Sequence, residues 1–165
     1  MPSVVRDLFE NYVKEQFNLE DCIAVNNGTS AIIAPLWSMD LQPNDEVITT
    51  PFTFIATSNA ILIAGAKPVF VDIDPETLLL DPDKIEEKIT PNTKAIVPVH
   101  LYGRICDMKR INEIAKKHNL IVIEDTAQAF GASTPCGKHA GMMSDAGTFS
   151  FYKTKNISTF EGGMI

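Results

Sequence analysis

A lysine is ordinarily a solvated surface residue, so Lys153 or Lys155 alone says little. Their setting says more. Both lie in Phe149-Ser150-Phe151-Tyr152-Lys153-Thr154-Lys155-Asn156, after a strand-like run and before Glu161-Gly162-Gly163. A lysine just beyond a sheet strand, facing a phosphate turn and a buried acid, is the arrangement expected of a Schiff-base site. There the amine attacks an aldehyde, and nearby positive charge with desolvation lowers its pKa so that it is nucleophilic near neutrality. The phosphate turn has a candidate in Asn27-Gly28-Thr29-Ser30-Ala31, a glycine turn followed by two hydroxyl residues that can open a helix. Unsatisfied N–H groups and the helix dipole favour an anion there, although the same residues also read as a plain N-cap. The acid has a candidate in Asp125 of Glu124-Asp125-Thr126-Ala127-Gln128. At the end of an apolar strand it is costly unless it meets a cation or strong donors; a cap on a following helix is the alternative. Pro51-Phe52-Thr53-Phe54 places two aromatics where a strand gives way to a helix. Such rings are usually core, and only one facing the cleft can stack on a bound ring.

These residues need a scaffold that gathers strand ends. Short β-branched runs at 22–27, 46–50, 68–73, 95–100 and 120–125 read as strands, and 147–152 and 162–165 as two further extended segments. Their near-continuous apolarity, without strict alternation, predicts a sheet covered on both faces, hence a mostly parallel α/β sheet with helical crossovers. Helices are predicted at 4–17, where Val5, Leu8, Phe9, Tyr12 and Val13 share a face, at 53–64 stopped by Gly65, and briefly at 82–89 after Asp81. A further one at 107–118 has Asp107 as its N-cap. A helix opening at Thr29 tolerates Pro35 only in its first turn. In an open sheet of this kind, ligands collect at the carboxyl ends of the parallel strands, where all four candidate stretches fall.

The chain has 165 residues, 45% apolar and 21% charged, with a formal net charge of -7. That composition is globular and lacks the basic excess that draws nucleic acid or anionic bilayers. No apolar stretch is long enough for a transmembrane helix and the first seven residues are unlike a signal peptide, so a cytoplasmic location is expected. Cys22, Cys106 and Cys136 are too far apart for a C-x-x-C motif and are expected to be reduced and mostly structural. No G-x-G-x-x-G follows the first strand, which disfavours a plain dinucleotide-binding domain. No internal linker divides the chain, and a strand ending flush with Ile165 predicts a piece of a longer protein.

The motifs NNGTSA, TTPFTFIATSNAI, PVFVDIDPETLLLDP, PVHLYG, EDTAQAFGA and SFYKTKNISTFEGG stand in that order between Cys22 and Ile165. In this the chain resembles the fold-type I aminotransferases of the DegT/StrS group, which use pyridoxal 5'-phosphate to aminate keto sugars attached to nucleotides. The resemblance implies an incomplete large domain over residues 1–165, without a C-terminal small domain, and a homodimeric parent. It implies Lys155 as the Schiff-base lysine, Asp125 beside the pyridine nitrogen and Gln128 near the ring and its 3-oxygen. It also implies Phe54 stacked on the ring, with Thr29, Ser30 and Ser150 on the phosphate. Glutamate is the implied amino donor. Two other activities go with the same fold: dehydration or deoxygenation of such a sugar, in which histidine commonly replaces the lysine, and a regulatory protein without turnover. The sequence departs from the family at Lys153, often a neutral residue, and at Pro35, where relatives continue a helix. On a truncated domain, Phe52, Phe54, Phe151, Tyr152 and Phe160 are expected to be partly exposed around an incomplete cleft.

Overall fold

Successive side chains of a strand point to opposite faces, and in the central strands of this protein both sets are buried. The computed structural model describes residues 4–165; residues 1–3, within the stretch read above as unlike a signal peptide, lie outside the described residues. In β2 (Glu46–Thr49), β4 (Thr93–Ile96) and β5 (Ile121–Asp125), one face carries Val47, Ala95 and Ile123 and the other Ile48, Ile96 and Val122. The first set packs under α2 (Gly28–Ser38) and α3 (Ala56–Ile63) through Ile32, Leu36, Ala60 and Ile61. The second packs under α4 (Met108–His118) through Met108, Ile111 and Ala115, with Leu80 and Ile85 completing the layer.

The remaining strands are β1 (Ala24–Val25), β3 (Lys67–Phe70), β6 (Ala146–Ser150) and β7 (Gly163–Met164), in the order β3-β2-β4-β5-β6-β7-β1. From β3 to β6 every pairing is parallel, while β7 runs antiparallel to both β6 and β1. Two reversals leave β1 pointing the same way as β6. The carboxyl ends of β1, β2, β4, β5 and β6, and the start of β7, therefore meet at one edge of the sheet.

Several expectations change in detail. α2 continues through Pro35 to Ser38 instead of confining proline to its first turn. A proline inside a helix costs about 3 kcal/mol, and here the complete burial of Ala31 and Leu36, with Ile32 nearly so, offsets it. The 82–89 segment forms two separate 3-10 turns, Pro82–Lys84 and Glu86–Lys88, held by the single wholly buried Ile85. Asp81 does cap the first, accepting the Asp83 N–H at 3.0 Å. The predicted helix over 53–64 starts only at Ala56, while Gly65 ends it in a left-handed conformation with φ 93°. Asp107 caps α4 through the Arg110 N–H at 3.1 Å.

The N-terminal helix α1 (Val4–Phe17) forms as expected, but only Val13 of its apolar face is buried. Val13 joins Cys22, Phe149, Phe151 and Met164 in a small third cluster. Phe151 is thus buried rather than exposed, with edge-on contacts to Phe9 and Phe130. All three cysteines are free; Cys22 and Cys106 are buried, and burial raises their thiols to about 11 and about 12, whereas Cys136 is exposed. Among the described residues no helix is long and apolar enough to cross a membrane.

Candidate active site

Glu124 and Asp125 are adjacent on β5, so their side chains leave opposite faces of the sheet, and their environments differ accordingly. Glu124 is wholly buried and accepts four hydrogen bonds: from His100 Nε2 and the Gly141 N–H on one oxygen, and from the Met143 N–H and Ser144 Oγ on the other. His100 Nδ1 accepts the Cys106 N–H at 3.1 Å, which puts the imidazole proton on Nε2, facing Glu124 at 2.7 Å. Burial opposes ionisation of Glu124, but these donors outweigh it and hold its pKa below the usual range. Asp125, nearly as buried, has a hydroxyl and an amide as donors: Thr57 Oγ1 at 2.7 Å and the Ala127 N–H at 3.1 Å. Burial wins there, and the carboxyl is pushed up. Of two neighbouring acids, one is fully satisfied within the fold and the other is left wanting a cation.

Asp125 faces a cleft of about 450 Å³ at the carboxyl edge of the sheet. At one end lies the start of α2. Asn27 Oδ1 caps that helix by accepting the Ser30 N–H at 2.8 Å, so the cap is Asn27 rather than Thr29 or Ser30, the helix opens at Gly28, and the Ser30 amide is already engaged. Gly28 and Thr29 line the cleft, as does Ser150 at the end of β6; Ser30 does not. The proximity depends on missing side chains. A Cβ on Gly28 would sit 2.6 Å from the Cβ of Ser150, and one on Gly163 would sit 2.4 Å from the Asn27 carbonyl oxygen. Backbone packed on backbone brings the two hydroxyl residues together at a helix N-terminus, a surface suited to an anion.

The loop between β6 and β7 supplies the lysine. It is pinched at its base, where the Phe151 N–H donates to Gly162 O at 2.8 Å and the Thr159 N–H to Phe151 O at 3.0 Å. Lys155 lines the cleft and is half-buried, and its charge acts on Asp125. Lys153 does not line it; its ammonium is exposed, 5.7 Å from the centre of the Tyr152 ring. Phe54 lines the cleft with 67% of its surface exposed, and Gln128 lines it with Lys155. Six of the seven candidates, Thr29, Phe54, Asp125, Gln128, Ser150 and Lys155, therefore share one cavity, with Ser30 just behind it. Sequence reasoning missed Thr57, which stands one turn after Phe54 and is followed by Ser58 and Asn59, so that its residue type did not single it out. Thr53, Thr154 and Glu161 also line the cleft without having been chosen as site residues, as do Asn27 of the candidate phosphate turn and Tyr152, expected around the cleft.

Residues 5–165 match the sequence model of the DegT/DnrJ/EryC1/StrS aminotransferase family. The chain belongs to this family. Within it, the chain is 52% identical over 157 residues to the GDP-perosamine synthase of Caulobacter vibrioides, covering 95% of this chain and 42% of that one. It is 54% identical over 144 residues to a pleiotropic regulatory protein of Geobacillus stearothermophilus, covering 87% and 38% respectively. The crystal structure of NtdA from Bacillus subtilis, solved with bound cofactor PMP, superimposes with a TM-score of 0.90 at 42% identity, covering 99% of this chain and 37% of that one. The chain thus spans about two fifths of the length of these family members.

Proposed function

We propose that this chain is the larger part of the cofactor-binding domain of a pyridoxal-phosphate aminotransferase that transfers an amino group, from glutamate, to a nucleotide-linked keto sugar. The observation that carries the reading is a buried carboxylate without a cationic partner facing the same cleft as a half-buried lysine, beside a hydroxyl-lined helix N-terminus. The residues fit the cofactor. Thr29, Ser150 and the first N–H groups of α2 suit its phosphate, Phe54 offers a face to its ring, and Gln128 stands near Lys155 to reach the ring's oxygen. Family membership and the likeness to the GDP-perosamine synthase support the substrate class, and the reading extends to a cytoplasmic homodimer.

When bound, the cofactor supplies an aldehyde and a protonated pyridine ring that withdraws electrons from the carbon losing its proton. Asp125 would keep that ring nitrogen protonated, and a pyridinium would give its buried charge a partner. Thr57 fixes the carboxylate by donating to one oxygen. Lys155 is the residue whose amine would hold the aldehyde, and its free Nζ would move the proton as general base and general acid.

A regulator that keeps the fold is the second reading, favoured by the name of the Geobacillus relative. A dehydratase or deoxygenase is disfavoured by Lys155. The test is reduction with borohydride of the full-length protein loaded with pyridoxal phosphate, followed by peptide mapping. We expect the label on Lys155. A label on Lys153 overturns the assignment, and an unlabelled protein favours the regulator.

A further inference from the structure

The segment from His100 to Cys106 is fixed at both ends and strained in the middle. At one end His100 is wholly buried; its N–H donates to the Asp125 carbonyl at 3.0 Å and its ring bridges Glu124 and the Cys106 N–H. At the other, Cys106 is buried, and the Arg104 guanidinium donates to the carbonyls of Glu76 and Thr77 at 3.3 and 3.2 Å. Between them Tyr102 adopts φ 54° and ψ 33°, followed by Gly103 at φ 79°. Two successive left-handed residues make a tight reversal for which glycine suffices at both positions, whereas a bulky side chain is disfavoured there. Tyr102 gains nothing evident from packing in return: it is 69% exposed, and among the described residues its side chain has no hydrogen bond or ring contact. Strain of this kind in an unpacked residue points to a role outside the fold.

The residues around Tyr102 indicate that role. With Gly103, Gln128, Thr154, Lys155 and Asn156 it lines a second concavity of about 440 Å³. Gln128, Thr154 and Lys155 also line the main cleft, so Lys155 stands between the two spaces. A lysine that moves a proton between a cofactor and a reactant has to face both. The part of the wall that the described residues form is an aromatic ring, two amides and a hydroxyl, beside Lys155 itself. A flat aromatic face flanked by neutral hydrogen-bonding groups suits a pyranose ring, with its apolar face and its rim of hydroxyls. We propose that this second concavity receives the sugar ring of the amino-group acceptor and that Tyr102 is a specificity-determining residue, presenting its ring to the sugar's apolar face. The proposal rests on the aminotransferase reading above.

The test separates the two half-reactions in the full-length, cofactor-loaded enzyme and its Tyr102→Ala, Tyr102→Phe and Tyr102→Gly variants. Cofactor absorbance follows loading, the reaction with glutamate, and the reverse reaction with GDP-perosamine or dTDP-3-amino-3,4,6-trideoxy-α-D-glucose as amino sugars. Tyr102→Ala should raise the KM for the amino sugar by about tenfold, the scale of one lost aromatic contact. Loading and the glutamate reaction should stay near wild type, and Tyr102→Phe should restore the sugar KM. Tyr102→Gly should melt no lower than Tyr102→Ala, since glycine relieves the backbone while both remove the ring. An unchanged sugar KM, an equal loss with glutamate, or a Tyr102→Gly protein less stable than Tyr102→Ala overturns the assignment of Tyr102. Failure of the wild-type protein to load cofactor or to react with either amino sugar is a different result: it overturns the aminotransferase reading and this proposal with it.

Discussion

Two adjacent acids with opposite surroundings divide structural work from chemical work. Replacing Asp125 by Asn removes the charge that holds a protonated ring nitrogen; its one side-chain oxygen keeps the Ala127 N–H, and its amide nitrogen can donate to the Thr57 hydroxyl, which has Phe54 O as its other acceptor. In the full-length enzyme we expect turnover to fall by more than about tenfold, or about 1.4 kcal/mol on the barrier, with the melting temperature little changed. Survival of turnover within that range makes the electron-sink role wrong. Glu124→Gln should do the reverse. It replaces an acceptor of four hydrogen bonds with a group that cannot accept all four, so calorimetry should show a loss of about 1–3 kcal/mol in stability. The sign with pH follows from its depressed pKa: Glu124 contributes stability above the usual carboxyl range, and that contribution fades as pH falls through its folded pKa. The Gln variant should lose that part of the acid sensitivity. At this scale the sequence was informative about Asp125, because an acid ending an apolar strand is anomalous wherever it occurs. It could not join Thr57 to Asp125, which only folding brings within 2.7 Å; and residue type and position alone did not separate Lys155 from Lys153, two residues apart on one loop, so that the family resemblance made that choice.

Elements bring those residues together by close backbone approach, and glycines make the approach possible. At Gly163 a Cβ would meet backbone, the Asn27 carbonyl at 2.4 Å and the Gly28 nitrogen at 2.9 Å, whereas at Gly162 the nearest atom is the Thr159 side-chain oxygen at 2.6 Å. A hydroxyl can rotate away but a strand packed on a helix start cannot. Gly163→Ala should therefore cost about 1–3 kcal/mol in unfolding experiments and weaken pyridoxal-phosphate binding by spreading Thr29 from Ser150. Gly162→Ala should cost less, and equal effects would show that β7 does not set the geometry of the phosphate end. The strands and α4 were readable because burial on both faces and a capped, amphipathic helix leave direct marks in composition and period. The 82–89 turns and the passage of α2 through Pro35 were not, because tertiary burial of Ile85 in one and of Ala31 and Leu36 in the other overrode local preference. Apolar spacing foretold α1, but it is silent on whether anything covers that face.

At the scale of the whole molecule, apolar side chains are exposed at many places, Trp37, Leu62 and Ile63 on α2 and α3 among them, and two groups bear on assembly. One belongs to the segments that carry cleft residues: Phe52 at 41%, Phe54 at 67%, Ile157 at 51% and Phe160 at 82% exposed. The other is α1, where Val5, Leu8 and Tyr12 are more than 60% exposed. Single exposed apolar residues are ordinary on a protein surface, but rings and aliphatic chains grouped on a cleft rim or along one helix stripe are characteristic of surfaces that pack against something else. The buried Phe151 removes one residue from that group without changing its character. The loop that carries Lys155 is tied at its base by the Phe151 hydrogen bonds and within itself by the Lys155 N–H to Tyr152 O. We therefore expect the isolated 165-residue chain to self-associate, with size-exclusion chromatography and light scattering giving a mass above the 18.1 kDa monomer, and to show no aminotransferase activity with a keto sugar. Charge substitutions at Leu8 and Phe160 should shift it toward monomer, because both are solvent-facing and outside the core. A monodisperse monomer that turns over a nucleotide-linked keto sugar would show that these surfaces need no cover and that the cleft is complete without a partner.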